Sequence, residues 1–490
     1  MDPERAIFRM YQEIGRKKVI IMKKLKSILA GLLSMSLLFS ATACGEEAAE
    51  NSSHYKSEDD VAISAPADEQ GGGMDVDISG QTIHWLATYD LNPSNNQDRS
   101  VALTLFEDVY GGKVEWIQCT SDDKFDVLTN RILGGDPVDM FPYEWDALPN
   151  GVYKEQYQPL DDYLDLEDPI WEDMSDAIDM YEYNGKHYVV PYAISDPLLI
   201  TYSRNMCQEN GLEDPYELYQ DGKWDWDVFM DMMKTFTANG DGSTQRYGIA
   251  GWFGQAMVQS TGKTIVNFDG KEFTNNIYDE DIEAAETLMA EMRSLNLYDP
   301  TWYGNFPEAG NILFYGMADW SLNGSNAKNQ DADLMVVPFP KSPDADEYYL
   351  CANFAAKMLV KNSDKGDAVA TYIYCERLAE TQEEYVQAAK DKALIVEQSA
   401  SGVVLGYRTE EQYDAIMQFK EDTTPVFDFG YGMGSTMYGD GEYTYETRGI
   451  MNNLMDALLT YPEIDSWAVL RDNWSAAIDD VLETYNSAIE

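Results

Sequence analysis

The sequence predicts an α/β protein of two lobes, and three observations lead there. Between residues 81 and 143, short apolar runs alternate with helical periodicities of about a dozen residues. Strands separated by such helices build a parallel sheet through right-handed crossovers. About 410 residues follow an acidic, glycine-bearing stretch, more than one hydrophobic core usually supports. Beyond residue 44 no run is long and apolar enough to cross a bilayer, so the body is expected to be soluble.

In chain order, residues 22–44 read as a bacterial lipoprotein signal. Lys23, Lys24 and Lys26 form a basic head, and Ile28 to Phe39 is a short apolar run. Ala41-Thr42-Ala43 then precedes Cys44, the expected lipidation site, with Gly45 behind it. Residues 1–21 carry mixed charges and do not suit a signal start, so Met22 is the expected initiator. Residues 44–78, rich in Glu, Asp, Ser, Ala and Gly, bury too little apolar surface to offset chain entropy and are expected to form a flexible tether. Gln81–Leu86 reads as a strand. Arg99–Tyr110 reads as a helix with Val101, Leu105 and Val109 in register and Gly111-Gly112 as its stop. Lys113–Cys119 is a second strand. Ser121 is the expected cap of a second helix, with Phe125, Leu128 and Ile132 on one face and Gly134-Gly135 at its end. Val138–Tyr143 is a third strand. Asp225 can cap a helix whose apolar face is Trp226, Phe229, Met230, Met233 and Phe236, closed by the polar turn Asn239–Gly242.

The most informative stretch runs from Tyr183 to Trp252. It holds Asn184-Gly185-Lys186, Pro191-Tyr192, Ile200-Thr201-Tyr202, Gly211 to Pro215, Trp224 to Phe229 and Tyr247 to Trp252. This order resembles the extracellular solute-binding proteins of ABC importers, in particular the family-1 branch that mostly carries sugars. Ser203 stands where that family usually has Asn, and Asp225 where it usually has Thr; Asp and Thr both cap helices. The resemblance extends through Phe106 to Gly111, Gly134 to Met140, Leu160-Asp161-Asp162, Phe314 to Ala318 and Val336 to Pro340, and so covers roughly residues 80 to 376 in order. The C-terminal part matches only as helices, notably Trp467 to Leu470 and Trp474 to Ser487. The resemblance implies a periplasmic-binding-protein-like fold, each lobe a mainly parallel sheet flanked by helices, joined by a multi-strand hinge. It implies crossings near 193–196, 348–352 and 424–430. The expected division is a leader at 1–43, a tether at 44–78, an N-terminal lobe at 79–194 and 349–428, and a C-terminal lobe at 195–348 and 429–490.

Lys and Arg number 34 against 87 Asp and Glu; the leader, 1–43, holds 8 and 3 of these, which leaves the remainder near −58. Such a body repels nucleic acid and anionic membrane surfaces alike. Cys119, Cys207, Cys351 and Cys375 show no Cys-x-x-Cys spacing, which argues against zinc. Outside the cytoplasm they allow up to two disulfides. His54, His84 and His187 are too scattered for metal work. Gly262-Lys263-Thr264 is no phosphate loop, because Met257 stands where the first glycine belongs. Asn239-x-Asp241-x-Ser243 spaces oxygens as a calcium loop does, but Thr244 and Ala250 replace its glycine and glutamate. No cofactor, metal or catalytic residue is expected.

Ligands of parallel sheets sit beyond the carboxyl ends of the strands. A sugar receptor needs flat aromatic faces and a few carboxylates or amides for hydroxyls; the chain is 12% aromatic, with 33 Tyr and 11 Trp. The candidate ligand-binding residues are Trp85, Tyr89, Glu144, Trp145 and Tyr192, and further along Asp196, Trp252, Trp320, Asn323 and Asn353. Each aromatic also suits plain core packing, and each polar residue plain solvation. The expected function is a non-enzymatic, lipid-anchored receptor. It acts as a monomer, captures an oligosaccharide and passes it to the transmembrane subunits of an ABC permease. A polyamine or other cationic solute, a secreted glycoside hydrolase and a cell-surface glycan adhesin are the competing readings.

Overall fold

The structure, a computed structural model, describes residues 74, 76–92, 99–399, 401–439 and 448–489. The leader, Cys44 and most of the expected tether lie outside them. Met74 and Val76 already pack against the core, and Ile78 is fully buried.

Two sheets organise the body. The first has four strands in the order Lys113–Gln118, Thr82–Ala87, Met140–Pro142, Lys357–Leu359. Its first three run parallel, and Lys357–Leu359 runs against them. The second has five, in the order Tyr298–Asp299, Tyr247–Gly251, Ile312–Ala318, Leu198–Ser203, Leu334–Pro338. Here Leu198–Ser203 alone opposes its neighbours. All residues of Leu198–Ser203 and of Ile312–Ala318 are buried, as strands covered on both faces must be.

The two reversed strands have one cause. Each directly follows a short connecting strand. Ala193–Ser195 precedes Leu198–Ser203, and Asn353–Ala355 precedes Lys357–Leu359. These two connectors pair antiparallel with each other, Ser195 opposite Asn353. A second pair, Tyr349–Cys351 with Thr424–Val426, runs parallel. A chain arriving from the opposite lobe enters a sheet at the end where the other strands finish, so it must run against them. The α/β architecture is therefore two mainly parallel sheets joined by a multi-strand hinge.

Local chemistry explains most element boundaries. Asn184 and Gly185 both take positive φ, the geometry of a tight hairpin turn between Glu182–Tyr183 and Lys186–His187. Asp225 accepts from the Val228 amide at 3.0 Å and starts the helix Trp226–Ala238. That helix buries Trp226, Phe229, Met230, Met233 and Phe236, and Trp224 is fully buried beside it. Ser203 accepts from the Met206 amide at 3.1 Å and caps Arg204–Glu209, so the hydroxyl does the work of the family's amide.

Several expectations need correction. Ser121 caps nothing; the helix starts at Lys124, and Asp123 instead accepts from the Thr120 amide. The helix expected over 99–110 begins with α geometry at Val101–Thr104 and widens to a π turn at Leu105–Val109. The four described cysteines are free and buried: Cys119 just past the strand Lys113–Gln118, and Cys207, Cys351 and Cys375 on three separate elements. The division that gave 349–428 to the first lobe fails for the helix Glu410–Asp422, which packs on the strand Leu334–Pro338 of the second sheet. Gln412 holds it there. Its amide donates to the Leu334 carbonyl at 2.7 Å and exchanges hydrogen bonds with the buried Asn326 side chain.

Candidate ligand-binding cleft

A cavity of about 730 Å³ lies where the hinge meets the strand ends, within the roughly 300–1,000 Å³ usual for ligand sites. Its walls follow from the carboxyl-end rule. The strands Met140–Pro142, Tyr247–Gly251, Tyr298–Asp299 and Ile312–Ala318 each deliver a tryptophan within three residues of their ends: Trp145, Trp252, Trp302 and Trp320. Hinge residues Cys351, Ala352, Asn353 and Phe427 form the back. Asp196, Gln255, Tyr431, Tyr438, Arg448, Asn452 and Asp456 are among the other lining residues. Residues 440–447, between Gly439 and Arg448, fall outside the described ones.

Each aromatic wall has a visible support. The Trp252 amide donates to the Gly316 carbonyl at 2.9 Å. That approach requires Gly251, at φ 109, because a Cβ there would collide with the Gly316 backbone. Trp145 meets the Tyr438 ring edge-on at 4.6 Å between centroids and is backed by Phe125 at 6.2 Å.

The polar groups are distributed to suit. Asp196 takes a left-handed backbone, φ 45, where the chain leaves Ala193–Ser195 for the second sheet. Strained non-glycine residues of this kind cluster at functional sites. The side chain reaches solvent, yet enclosure by the cleft walls raises its pKa; Asp319 adds to this and Lys420 opposes it. Asp456 is likewise raised by burial, against a hydrogen bond and the charge of Arg448. Arg448 also donates to Asn453 at 2.8 Å. Burial pushes the Cys351 thiol up, with Asp428 adding to it, so it is a poor nucleophile.

Of the ten sequence candidates, Trp145, Asp196, Trp252, Trp320 and Asn353 line this cavity. The other five do not. Trp85 is fully buried, and its indole donates to the Tyr89 carbonyl at 3.1 Å. Tyr192 is buried and accepts from the Lys357 ammonium at 2.7 Å; that ammonium also lies 5.6 Å from the Trp85 ring. Tyr89 packs edge-on against Trp85. Glu144 pairs with Lys124 at 2.9 Å. Asn323 accepts from Arg408 at 3.2 Å. Trp302, Gln255, Tyr438, Arg448, Asn452 and Asp456 escaped the sequence reading. The strand before Trp302 has two residues, too few for a periodic signal, and the last three sit at or on the helix Ile450–Thr460, beyond the segments the resemblance covers.

A cavity at a multi-strand hinge between two sheets is the architecture of proteins that bind a small ligand between lobes. The particular family is also clear. The model of the bacterial extracellular solute-binding proteins matches residues 102–396, more than half of the chain, and the protein belongs to that family. It therefore works outside the cytoplasm. No curated protein sequence matches the chain significantly. Solved structures with this fold are many. The cyclic α-maltosyl-1,6-maltose-binding protein of Arthrobacter globiformis is 14% identical with a TM-score of 0.59, covering 82% of this chain and 98% of its own. The galacto-N-biose-/lacto-N-biose I-binding protein of Bifidobacterium longum, in complex with lacto-N-biose, is 12% identical with a TM-score of 0.56, covering 82% and 97%. A Mycobacterium tuberculosis protein in complex with glycerophosphocholine is 16% identical with a TM-score of 0.51, covering 83% and 99%. Among the described residues no helix is long and apolar enough to cross a membrane.

Proposed function

We propose that the protein is the cargo receptor of an ABC importer, that its cargo is an oligosaccharide, and that it releases this cargo unchanged to the permease. The observation that carries the reading is the cavity wall: four tryptophans and a set of amides and carboxylates line one space. Indole faces suit the apolar faces of sugar rings, and Asp196, Asn353, Gln255 and Asn452 suit their hydroxyls. The sugar-binding proteins that share the fold support it. No step of bond cleavage belongs to the account. The lipoprotein-like segment ending at Cys44 supports anchoring by lipid, with residues 45 to the mid-70s as the tether.

A cationic solute is the second reading, favoured by Asp196 and by the glycerophosphocholine-bound neighbour. It is the weaker one, because Asp456 already has Arg448 as its partner and, among the described residues, Asp196 is left as the one carboxylate in the lining without a lining cation beside it.

Calorimetric titration of Trp252→Ala against wild type, with a glycan panel plus choline and spermidine, separates them. The carbohydrate reading expects wild type to bind one glycan class and the variant to lose at least about tenfold in affinity. Binding confined to choline or spermidine would replace the cargo and keep the receptor.

A further inference from the structure

Within the carbohydrate reading, on which this rests, we infer that Trp302 and Trp320 form an outer stacking platform. It takes the sugar units of a chain that outgrows the cavity, so that the receptor selects for chain length.

Both indoles line the cavity, yet they are 64% and 55% exposed, whereas Trp145 and Trp252 are partly buried. Exposed tryptophan is costly to leave in water, and scattered apolar side chains on a surface need no explanation. These two differ from a scattered residue such as Leu133 in that both edge the same ligand space and the chain on either side of each is hydrogen-bonded.

The loop carrying Trp302 is pinned at every turn. The Asp299 carboxylate accepts from the Thr301 amide at 3.0 Å and from the Tyr303 hydroxyl at 2.8 Å. The buried Tyr315 hydroxyl donates to the Tyr303 carbonyl. Further on, the Phe306 amide donates to Ser325 at 2.8 Å and the Asn329 amide to the Phe306 carbonyl at 2.9 Å. Both partners lie on or just beyond the helix Ser321–Lys328, whose N-cap is Trp320. Trp320 is clamped in turn. Arg408 donates to the Asp319 carbonyl at 3.0 Å, to its carboxylate at 3.2 Å and to Asn323 at 3.2 Å, gripping the residues on either side of the indole. The Asp319 amide donates to the Pro197 carbonyl beside Asp196, which ties the platform to the hinge.

An aromatic side chain whose backbone is already held before any ligand arrives loses less freedom on binding than one on a free loop. Trp145 and Trp252 take the units inside the cavity, and the outer pair takes those that emerge from it. Arg408 is then a positioning residue for the platform, and Asn323 is the handle it holds.

The test is a calorimetric series, disaccharide to hexasaccharide, in the malto-, cello-, xylo- and β-galacto-oligosaccharide families. It uses residues 45–490 as wild type, Trp302→Ala, Trp302→Phe and Trp320→Ala. Wild type is expected to gain affinity with length beyond the disaccharide. Trp302→Ala should lose about tenfold for the hexasaccharide while staying within about twofold for the disaccharide. Trp302→Phe should keep most of the length dependence, and unfolding temperatures should not move, since the side chain is exposed. Tight binding with equal affinity at all lengths, or equal losses for short and long chains in Trp302→Ala, overturns the platform and leaves the carbohydrate reading intact. Wild type silent toward every series overturns the carbohydrate reading and the platform together.

Discussion

Glu286 lies 1% exposed beneath the cleft floor, and neither carboxylate oxygen has a hydrogen-bond partner. Gln259, equally buried, shares the small space there, with Gln255, Tyr431 and Met455 between it and the cleft. Burial raises the Glu286 carboxyl well above its ordinary range, with Asp456 adding to it. Asp428, on the same space, is pushed up to about 7 by burial, although three backbone amides oppose the shift. Both carboxyls bind their protons more tightly folded than unfolded. Their stabilisation is therefore complete below the ordinary carboxylate range and is lost as pH rises through the folded value, for Asp428 around 7. Thermal unfolding should move to lower temperature between pH 5 and pH 8. In Glu286→Gln the fall should be shallower, and a pH profile identical to wild type would contradict the assignment. Asp428→Asn keeps the shape but sets amide hydrogens against backbone donors, and should cost about 1–3 kcal/mol in denaturant unfolding.

Elements were legible where a signal sits within a few residues. The Asp225 cap, the Asn184-Gly185 turn and the apolar stripe of Trp226–Ala238 can all be read from the sequence, and the structure contains them. Removing the cap, Asp225→Ala, should cost about 1 kcal/mol, read as a lowered denaturant midpoint with unchanged slope. Ser121 shows where such reading stops. Three polar residues, Ser121, Asp122 and Asp123, compete for one helix start, and Thr120 settles the choice through a contact with Asp123. The strand Tyr298–Asp299 is too short to show a period, and so Trp302 beyond it went unseen. The helix Glu410–Asp422 was assigned to the wrong sheet because its decisive bond, Gln412 with Asn326, joins residues 86 apart. The candidate site was half legible for the same reason. The carboxyl-end rule points to Trp145, and the family-like segments to Trp252 and Trp320, all of which line the cavity; the rule could not tell Trp85, buried inside the strand Thr82–Ala87, from a residue just past its end.

The whole molecule turns on its hinge. Two pairs of short strands carry the connections, and the cavity opens against them. Ligand between the lobes should favour the closed arrangement by its differential contacts, so small-angle scattering should report a smaller radius of gyration at saturation. An unchanged radius would mean a cleft already closed. The acidic composition, 87 carboxylates against 34 basic residues along the chain, favours solubility and, on the carbohydrate reading, leaves stacking and hydroxyl contacts as the attraction. Affinity for a neutral glycan should accordingly vary little with salt, whereas a cationic cargo would bind more weakly as salt rises. The central claim is a receptor that holds a carbohydrate and does not alter it. The direct measurement is calorimetric titration of residues 45–490 with the glycan panel, followed by chromatography of the recovered sugar. The account predicts saturable binding of one glycan class and its recovery at unchanged length. Shortened products would contradict it.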